Sequence, residues 1–229
     1  MKVDWQSFKK KYVKPKTNGF PVGSIVFKGY QGSGKTLSMV HYMFQLKKYF
    51  PKCHIYSNVI IKSLDYYQIK DDNDLSRAIT DRNGEDGVVV LLDEAHLFFN
   101  KKKGISLDVL TAISQQRKDR RRIVMSSQIW EELDISLRKQ VKHIVDCHSF
   151  GHIQVNTIYD GESLCWDKMS SSYVAKKIYT ECFKHHQELY NSYDTYQKII
   201  KNDQYIQNTT SSPTSTTIVV DKKALKKGR

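Results

Sequence analysis

The sequence predicts an α/β fold in which a mostly parallel β-sheet is flanked by helices. Short apolar segments alternate with amphipathic helical segments along most of the chain, and this alternation is typical of parallel sheets covered by helices. The segment Val88–Leu92 is apolar throughout, as expected for a strand that is buried on both faces. A length of 229 residues suits a single domain with an appendage.

Local signals place the individual elements. In the segment that begins near Lys35, apolar residues recur every three to four positions until Pro51 ends the helix. The tripeptide Phe150-Gly151-His152 predicts a tight turn, so the strands on either side form an antiparallel hairpin at the edge of the sheet. The predicted strands span residues 23–28, 54–61, 88–92, 122–127, 143–148 and 153–159, and the predicted helices span residues 35–49, 72–80, 106–118 and 134–140.

The C-terminal third of the chain is predicted to be helical. From Ser170 to about Tyr205, apolar and aromatic residues repeat every three to four positions. The segment Thr209–Thr217 consists almost entirely of Ser, Thr and Pro, which indicates a flexible linker because it is too polar to form a core. We therefore divide the chain into a basic N-terminal extension (1–20), a core domain (21–162), a C-terminal helical region (163–206) and a flexible basic tail (207–229).

The composition argues against several classes of protein. The chain carries 37 Lys and Arg against 24 Asp and Glu, and its net charge of +13 indicates a polyanionic partner, either nucleic acid or an anionic membrane surface. Its 4 cysteines form no C-x-x-C pair, which argues against a zinc knuckle and a secreted disulfide scaffold. The first residues are Lys-rich rather than apolar, and no apolar run approaches the ~20 residues of a membrane span. We expect a cytoplasmic protein without an intrinsic membrane span.

Residues 29–36 read Gly-Tyr-Gln-Gly-Ser-Gly-Lys-Thr and match the phosphate-binding pattern G-x-x-x-x-G-K-[ST]. The glycines let successive backbone N–H groups point at phosphates, and the following helix adds the positive end of its dipole. Lys35 is expected to reach the β- and γ-phosphates, and the Thr36 hydroxyl to bind Mg²⁺. The alternative is an ordinary Gly-rich turn, which the position between a strand and a helix disfavours. The predicted cofactors are ATP and Mg²⁺, and the predicted nucleotide contacts are Gly29, Gln31, Gly32, Ser33, Gly34, Lys35, Thr36 and Leu37.

An acidic pair follows the apolar strand 88–92. Asp93 is expected to bind Mg²⁺ together with Thr36, and Glu94 to act as the general base that polarises the attacking water. The alternative is a helix cap, since Asp and Glu are also favoured in the first turn of a helix. Residues 93–96 spell the Asp-Glu-Ala-His box of large helicases, but the chain is too short for the second motor lobe of that class.

Gln128 follows the predicted strand 122–127. In a parallel sheet that also holds the phosphate-loop strand and the acidic strand, the end of this strand lies beside the γ-phosphate. An amide at that point is suited to orient water, so Gln128 is a further candidate catalytic residue. The alternative is a solvated strand end.

These motifs resemble the Zot-like branch (zonular occludens toxin N-terminal domain) of the FtsK–HerA superfamily of P-loop ATPases, which is near the viral genome-packaging ATPases. The resemblance covers about residues 22–160 and implies a P-loop fold of the RecA/ASCE type. Besides the phosphate loop and the acidic strand, the segments that carry it are Tyr56-Ser57-Asn58-Val59, Gln116-Arg117-Lys118 and Ser126-Ser127-Gln128, with Arg138 ten residues further on.

The resemblance implies a homo-oligomeric ring in which ATP binds between neighbouring subunits and an arginine of one subunit completes the site of the next. Arg138 and Arg117 are the candidates for this catalytic arginine. The run Arg120-Arg121-Arg122 is equally suited to grip DNA phosphates, and Lys101-Lys102-Lys103 is a candidate pore loop that contacts the DNA backbone. For each of these basic residues the alternative is a solvated surface position.

Two functions remain open at this level. The first is an ATP-driven ring motor that translocates double-stranded DNA and packages a viral genome, with a capsid or portal vertex protein as docking partner and the host cytoplasm or virion as location. The second is a filamentous-phage assembly ATPase that acts at the membrane with a partner, although residues 160–229 lack the membrane-spanning helix of those proteins. A GTPase and a transporter ATPase are disfavoured because the chain contains neither an N-K-x-D nor an L-S-G-G-Q motif, and a small-molecule kinase because no segment stands out as an acceptor pocket or lid.

Overall fold

The computed structural model describes residues 19–62, 64–99, 104–105, 107–169 and 171–193. Within these residues the strands are β1 (Gly23–Lys28), β2 (His54–Ser57), β3 (Tyr67–Gln68), β4 (Val88–Leu92), β5 (Arg121–Ser127), β6 (Val141–Phe150), β7 (Ile153–Asp160), β8 (Cys165–Asp167), β9 (Ser172–Val174) and β10 (Lys177–Lys184). The α-helices are α1 (Lys35–Tyr49), α2 (Asp72–Thr80), α3 (Leu107–Ser114), α4 (Ile135–Arg138) and α5 (Gln187–Asn191). No helix in this described part is both long and apolar enough to cross a membrane.

Eight strands form one sheet in the order β10-β7-β6-β1-β5-β4-β2-β3, and β8 and β9 form a separate hairpin. The six strands from β6 to β3 run parallel, whereas β7 is antiparallel to both β6 and β10. This arrangement confirms the predicted α/β fold with a mostly parallel sheet and an antiparallel hairpin. Its consequence for function is that β1, β5, β4 and β2 end at the same edge of the sheet.

Two apolar clusters cover the two faces of the sheet. Strand β4 contributes to both, because Val89 and Leu91 belong to the cluster around α1 while the other three residues belong to the cluster around α2, α3 and α4. Every residue of β4 is fully buried, as its unbroken apolar sequence predicts. Burial of each such side chain contributes roughly 1.5–3 kcal/mol, so both helical layers are firmly attached to the sheet.

Several predicted boundaries shift in the structure. The predicted strand 54–61 ends at Ser57, because the Ser57 hydroxyl donates to the Val59 carbonyl and accepts from the Val59 N–H. Such local side-chain hydrogen bonds turn the backbone out of the sheet. The predicted helices 106–118 and 134–140 are also shorter and span residues 107–114 and 135–138.

The prediction of a helical region over residues 163–206 is wrong for its described part. Residues 165–184 form β8, β9 and β10, and the helix that follows, α5, has only five residues. The sequence of β10 is rich in β-branched and aromatic residues, and its Tyr179, Glu181 and Phe183 alternate with period two, which favours a strand. Because β10 pairs with β7, the predicted division at residue 162 cuts through the sheet and the β6–β7 hairpin is not at its edge.

Two arginines of the predicted DNA-binding run are structural. Arg122 is buried, donates from Nε to the Tyr42 hydroxyl at 2.9 Å and lies over the Tyr42 ring. Arg121 is fully buried on the other face, where it donates to the Asp81 carbonyl at 2.9 Å and pairs with Asp119 at 3.4 Å. The prediction that Arg121 contacts DNA is therefore wrong, since its guanidinium is held inside the protein.

Glu181 is a buried acid on the inner side of β10. Only 4% of its surface is exposed, and burial raises its pKa from the ordinary value of 4.5 to about 8. The folded protein therefore keeps a proton on Glu181 that the unfolded chain releases above about pH 4.5. As a result, this group lowers the stability of the fold progressively as the pH rises from about 4.5 to about 8.

We expect Glu181→Gln to stabilise the protein at pH 8, because the amide needs no proton to remain neutral. The free energy of unfolding should rise by roughly 4 kcal/mol at pH 8 and change little at pH 4.5. Urea unfolding of both proteins across this pH range measures the effect, with the exposed Glu188→Gln as the matched control. Equal pH profiles for the wild-type protein and Glu181→Gln would contradict a raised pKa.

Candidate active site

The loop between β1 and α1 has the backbone conformation that phosphate binding requires. Gly32 and Gly34 have φ values of 78° and 81°, in the left-handed region that favours glycine. Gly34 also caps α1, and a Cβ atom there would collide with the side chain of Gln154. The first turn of α1 contains no acidic residue and its N-cap makes no side-chain hydrogen bond, so the positive end of the helix dipole faces the loop.

Two side chains fix this loop from its ends. Lys35, which is only 6% exposed, donates from its ammonium to the Tyr30 carbonyl at 3.0 Å. The buried Gln154 of β7 donates from Nε2 to the Ser33 carbonyl at 3.0 Å and to Asn156 Oδ1 at 3.0 Å. The loop is therefore held against the sheet by side chains of the protein itself.

Asp93 lies directly after β4 and is joined to three other elements. Its carboxylate accepts hydrogen bonds from the hydroxyl of Thr36 on α1, at 2.8 Å, and from the hydroxyl of Ser126 on β5. Its backbone exchanges two hydrogen bonds with the side chain of Asn58, each of 2.8 Å. Burial raises the pKa of Asp93, although the bonds from Ser126 and Thr36 oppose this effect.

The oxygen atoms of Thr36 and Asp93 suit a magnesium ion. Mg²⁺ prefers hard oxygen ligands and is commonly held by one or two protein oxygens together with nucleotide phosphates. A carboxylate that burial makes costly to ionise is also stabilised by a nearby cation. The donor set and its burial thus fit the predicted metal site.

Glu94 is held in an uncommon backbone conformation, with a φ of 51° and a ψ of 53°. Left-handed non-glycine residues are strained and cluster at active sites, where neighbouring groups must hold them in place. Here the Glu94 N–H donates to the Ser126 hydroxyl at 2.9 Å, and Glu94 Oε1 accepts from Gln128 Nε2 at 2.8 Å. The other carboxylate oxygen lies 3.3 Å from His96 Nδ1. The predicted base and the predicted amide therefore meet.

These groups line one cavity of about 590 Å³, which is in the ~300–1,000 Å³ range of small-molecule sites. The phosphate loop and the acidic pair form its polar part, and Gln128 lies beside them. The lining residues are Gln31, Gly32, Gly34, Lys35, Thr36, Leu37, Val59, Asp93, Glu94, Leu97, Gln128, Ser149, His185, Tyr190 and Tyr193. Gly29 and Ser33 are in the same loop but do not line the cavity.

The two candidate catalytic arginines are not part of this cavity. Arg138 donates to the Tyr173 hydroxyl at 3.4 Å and lies over the Tyr173 ring, beside the β8–β9 hairpin. Arg117 borders a separate groove with Gly23 and Val141, at the opposite edge of the sheet from the phosphate loop. Neither arginine reaches the site of its own chain, so a catalytic role in a neighbouring subunit stays a prediction.

The remaining predicted DNA contacts divide into two groups. Lys101, Lys102 and Lys103 lie outside the described residues. Arg120 pairs with Glu85 at 3.2 Å, and 40% of its side chain is exposed. Arg120 therefore remains a candidate contact at the surface.

Sequence reasoning missed the residues that orient the acidic pair and those that complete the cavity. Ser126 and Asn58 stand in segments that resemble the family, but their spacing did not reveal that both hydrogen-bond to Asp93. His185, Tyr190 and Tyr193 reach the cavity only because β10 returns the chain to this part of the sheet. No local sequence signal indicates this return.

A family model described as Zonular occludens toxin (Zot) matches residues 24–197, about three quarters of the chain. Among solved structures, the N-terminal domain of zonular occludens toxin from Neisseria meningitidis is 21% identical, with a TM-score of 0.55, over 75% of this chain and 98% of that one. The genome packaging NTPase B204 from Sulfolobus turreted icosahedral virus 2, in complex with sulfate, is 17% identical, with a TM-score of 0.50, over 72% of this chain and 98% of that one.

No curated protein sequence is similar enough to the chain to count as a relative. The family match nevertheless spans every residue that lines the cavity, and the geometry of that cavity also indicates nucleotide binding. The chain belongs to the zonular occludens toxin (Zot) family, and it is a P-loop ATPase.

Proposed function

We propose that this ATPase is a motor that uses ATP hydrolysis to translocate double-stranded DNA during viral genome packaging. The observation that carries the hydrolytic part is the Glu94–Gln128 hydrogen bond beside the phosphate loop, because it places a base and a water-orienting amide together. The net charge of +13 supports a polyanionic partner, and the packaging NTPase B204 shares the fold. The motor is expected to work as a homo-oligomeric ring in the host cytoplasm or in the virion, docked on a capsid or portal vertex protein.

The hydrolytic step follows from the positions of the side chains. Backbone N–H groups of the loop and of the first turn of α1 bind the phosphates, and Lys35 neutralises part of their charge. Thr36 and Asp93 would hold Mg²⁺, which would supply positive charge beside the phosphate oxygens. Glu94 is the proposed acceptor of the proton of the attacking water, and its Oε2 lies 3.3 Å from His96 Nδ1. Gln128 keeps the carboxylate oriented through Oε1.

The DNA part of the proposal rests on basic residues outside the cavity. Arg120, Lys101, Lys102 and Lys103 are the proposed contacts, and all would bind phosphates rather than bases. Such contacts are independent of sequence and weaken as salt concentration rises. Contacts that do not depend on the base sequence are what a motor needs in order to move along DNA.

Membership of the Zot family supports a second candidate function. In this case the ATPase powers the assembly and extrusion of a filamentous phage at the membrane, together with a membrane partner. The match over residues 24–197 and the likeness to the Neisseria meningitidis domain favour it. The two candidates share the same hydrolytic site and differ in what stimulates it.

We expect Glu94→Gln to bind ATP but to hydrolyse it about 10²–10⁴-fold more slowly, because the amide keeps the bond to Gln128 and cannot accept a proton. Lys35→Ala should lose binding as well, since it removes the ammonium that faces the phosphates. Phosphate release and the binding of a fluorescent ATP analogue measure the two effects separately. Near wild-type turnover in Glu94→Gln would remove Glu94 from the role of base.

Double-stranded DNA should stimulate hydrolysis several-fold at 50 mM salt, and the stimulation should fade by 200 mM because counterion release weakens phosphate contacts. Steady-state phosphate release with and without DNA measures this, with Lys35→Ala as the blank and heparin as a polyanion control. Stimulation by anionic vesicles without any response to DNA would favour the phage-assembly function. Stimulation by heparin equal to that by DNA would contradict a dedicated DNA contact.

If Arg138 completes the site of a neighbouring subunit, Arg138→Ala should lower hydrolysis about 10³-fold or more. Mixing it with Lys35→Ala should restore part of the activity, because mixed rings pair an intact phosphate loop with an intact arginine. Arg117→Ala is tested in the same way, and Lys139→Ala is the matched surface control. A mixture no more active than its components would exclude the arginine concerned.

A further inference from the structure

The segment 185–193, here called the strap, runs from β10 to the residues that follow β2. At its start the His185 N–H donates to the His152 carbonyl, and at its end the Lys62 N–H donates to the Ser192 carbonyl, both at 2.8 Å. Tyr193 forms an isolated antiparallel bridge with Ile61. Between these attachments the strap places His185, Tyr190 and Tyr193 in the lining of the nucleotide cavity.

A chain of hydrogen bonds joins the side chains of His185 and Tyr190 to Gln154. Because Gln154 Nε2 donates to Ser33 and Asn156, Gln154 Oε1 is the acceptor that faces His185 Nε2 at 3.4 Å. His185 Nε2 therefore carries the hydrogen, and Nδ1 accepts from the Tyr190 hydroxyl at 2.6 Å. Burial lowers the pKa of His185, which agrees with a neutral ring.

These hydrogen bonds occupy the polar atoms of His185 and leave mainly the faces of the aromatic rings to a ligand. The Tyr190 side chain is at the boundary of the cavity with 36% of its surface exposed, whereas Tyr193 is 5% exposed and packs in the core. Leu37 and Val59 continue the apolar lining. A flat, partly exposed ring beside apolar side chains matches an aromatic base and offers no further partner to a charged group.

We propose that the strap is the nucleobase subsite of the ATPase and that the face of Tyr190 stacks on the purine ring of the bound nucleotide. The proposal rests on nucleotide binding at the phosphate loop, which orients the phosphates toward Lys35 and leaves the base for the rest of the cavity. Because the hydroxyl hydrogen of Tyr190 and both ring nitrogens of His185 are already engaged, these two side chains offer no hydrogen-bond donor to the edge of the base, and the strap binds the base by its face. Discrimination between ATP and GTP is therefore weak.

Tyr190→Ala should raise the KM for ATP on the order of 10-fold, because stacking of one base on an aromatic ring is lost. The kcat should change less than about 2-fold, since the hydrolytic groups remain in place. Tyr190→Phe should keep the wild-type KM, because it keeps the ring and loses only the hydroxyl. The exposed Tyr67 on β3 provides the matched control Tyr67→Ala.

Inorganic tripolyphosphate separates the base from the phosphates. Its inhibition constant should be equal in the wild-type protein and in Tyr190→Ala, because it occupies the phosphate loop and has no base. If Tyr190→Ala raised the KM for ATP and the inhibition constant of tripolyphosphate in parallel, the strap would act through the phosphate loop. If the KM for ATP were unchanged, the base would bind elsewhere. Each of these two results overturns the proposal, as does ATP-over-GTP discrimination greater than about 100-fold.

Tyr190→Trp gives a direct signal that does not depend on turnover. Addition of ATP should quench the fluorescence of the new indole, whereas tripolyphosphate should not; quenching by neither ligand contradicts stacking. If the wild-type protein bound ATP without hydrolysing it, the proposed motor function would be contradicted. The fluorescence test of base stacking would still be valid, because it measures binding alone. Thermal unfolding of each variant checks that the fold is retained.

Discussion

The site depends on the hydrogen bonds that surround one buried carboxylate. Asp93, at the end of β4, is tied to Thr36 on α1, to Ser126 on β5 and to Asn58 after β2. Removal of a partner would leave a buried charge without compensation, which is among the more costly changes a protein can undergo. This carboxylate therefore fixes the spacing between the helix that follows the phosphate loop and the strands that lead to Asn58, Glu94 and Gln128. The strained backbone of Glu94 is possible because its neighbours are held in this way.

Local sequence signals were sufficient to predict the central part of the structure. The phosphate loop and the strand Val88–Leu92 are defined by residues adjacent in the chain, and their predicted positions match the structure. The parallel order of the strands then brings Gln128 to Glu94, as the strand-end argument predicts. The placement of these residues around one cavity was therefore largely predictable from the sequence.

The errors arose where tertiary contacts override local pattern. In residues 177–184 a repeat of three to four positions coexists with an alternation of two, and pairing with β7 selects the strand. The alternation of buried and exposed residues on that strand is hard to recognise, because Glu181 is buried and acidic residues are normally exposed to solvent. Arg121 was assigned to DNA for the same reason, although the carbonyl of Asp81 and the carboxylate of Asp119 hold it inside. Charge alone does not distinguish a surface patch from an internal hydrogen-bonding group.

The bond from Gln154 to the Ser33 carbonyl bears on the kinetics of nucleotide capture. Gly34 packs so closely against Gln154 that the loop has little room to take another shape. A loop shaped by the protein itself needs no rearrangement when the phosphates arrive, so little conformational entropy is lost at that moment. Association should then be limited by diffusion and by the charge of the entrance, and the residence time of the nucleotide should set its affinity. In an ATPase with such a loop, exchange of spent nucleotide is controlled by the rate at which it dissociates rather than by the rate at which new nucleotide binds.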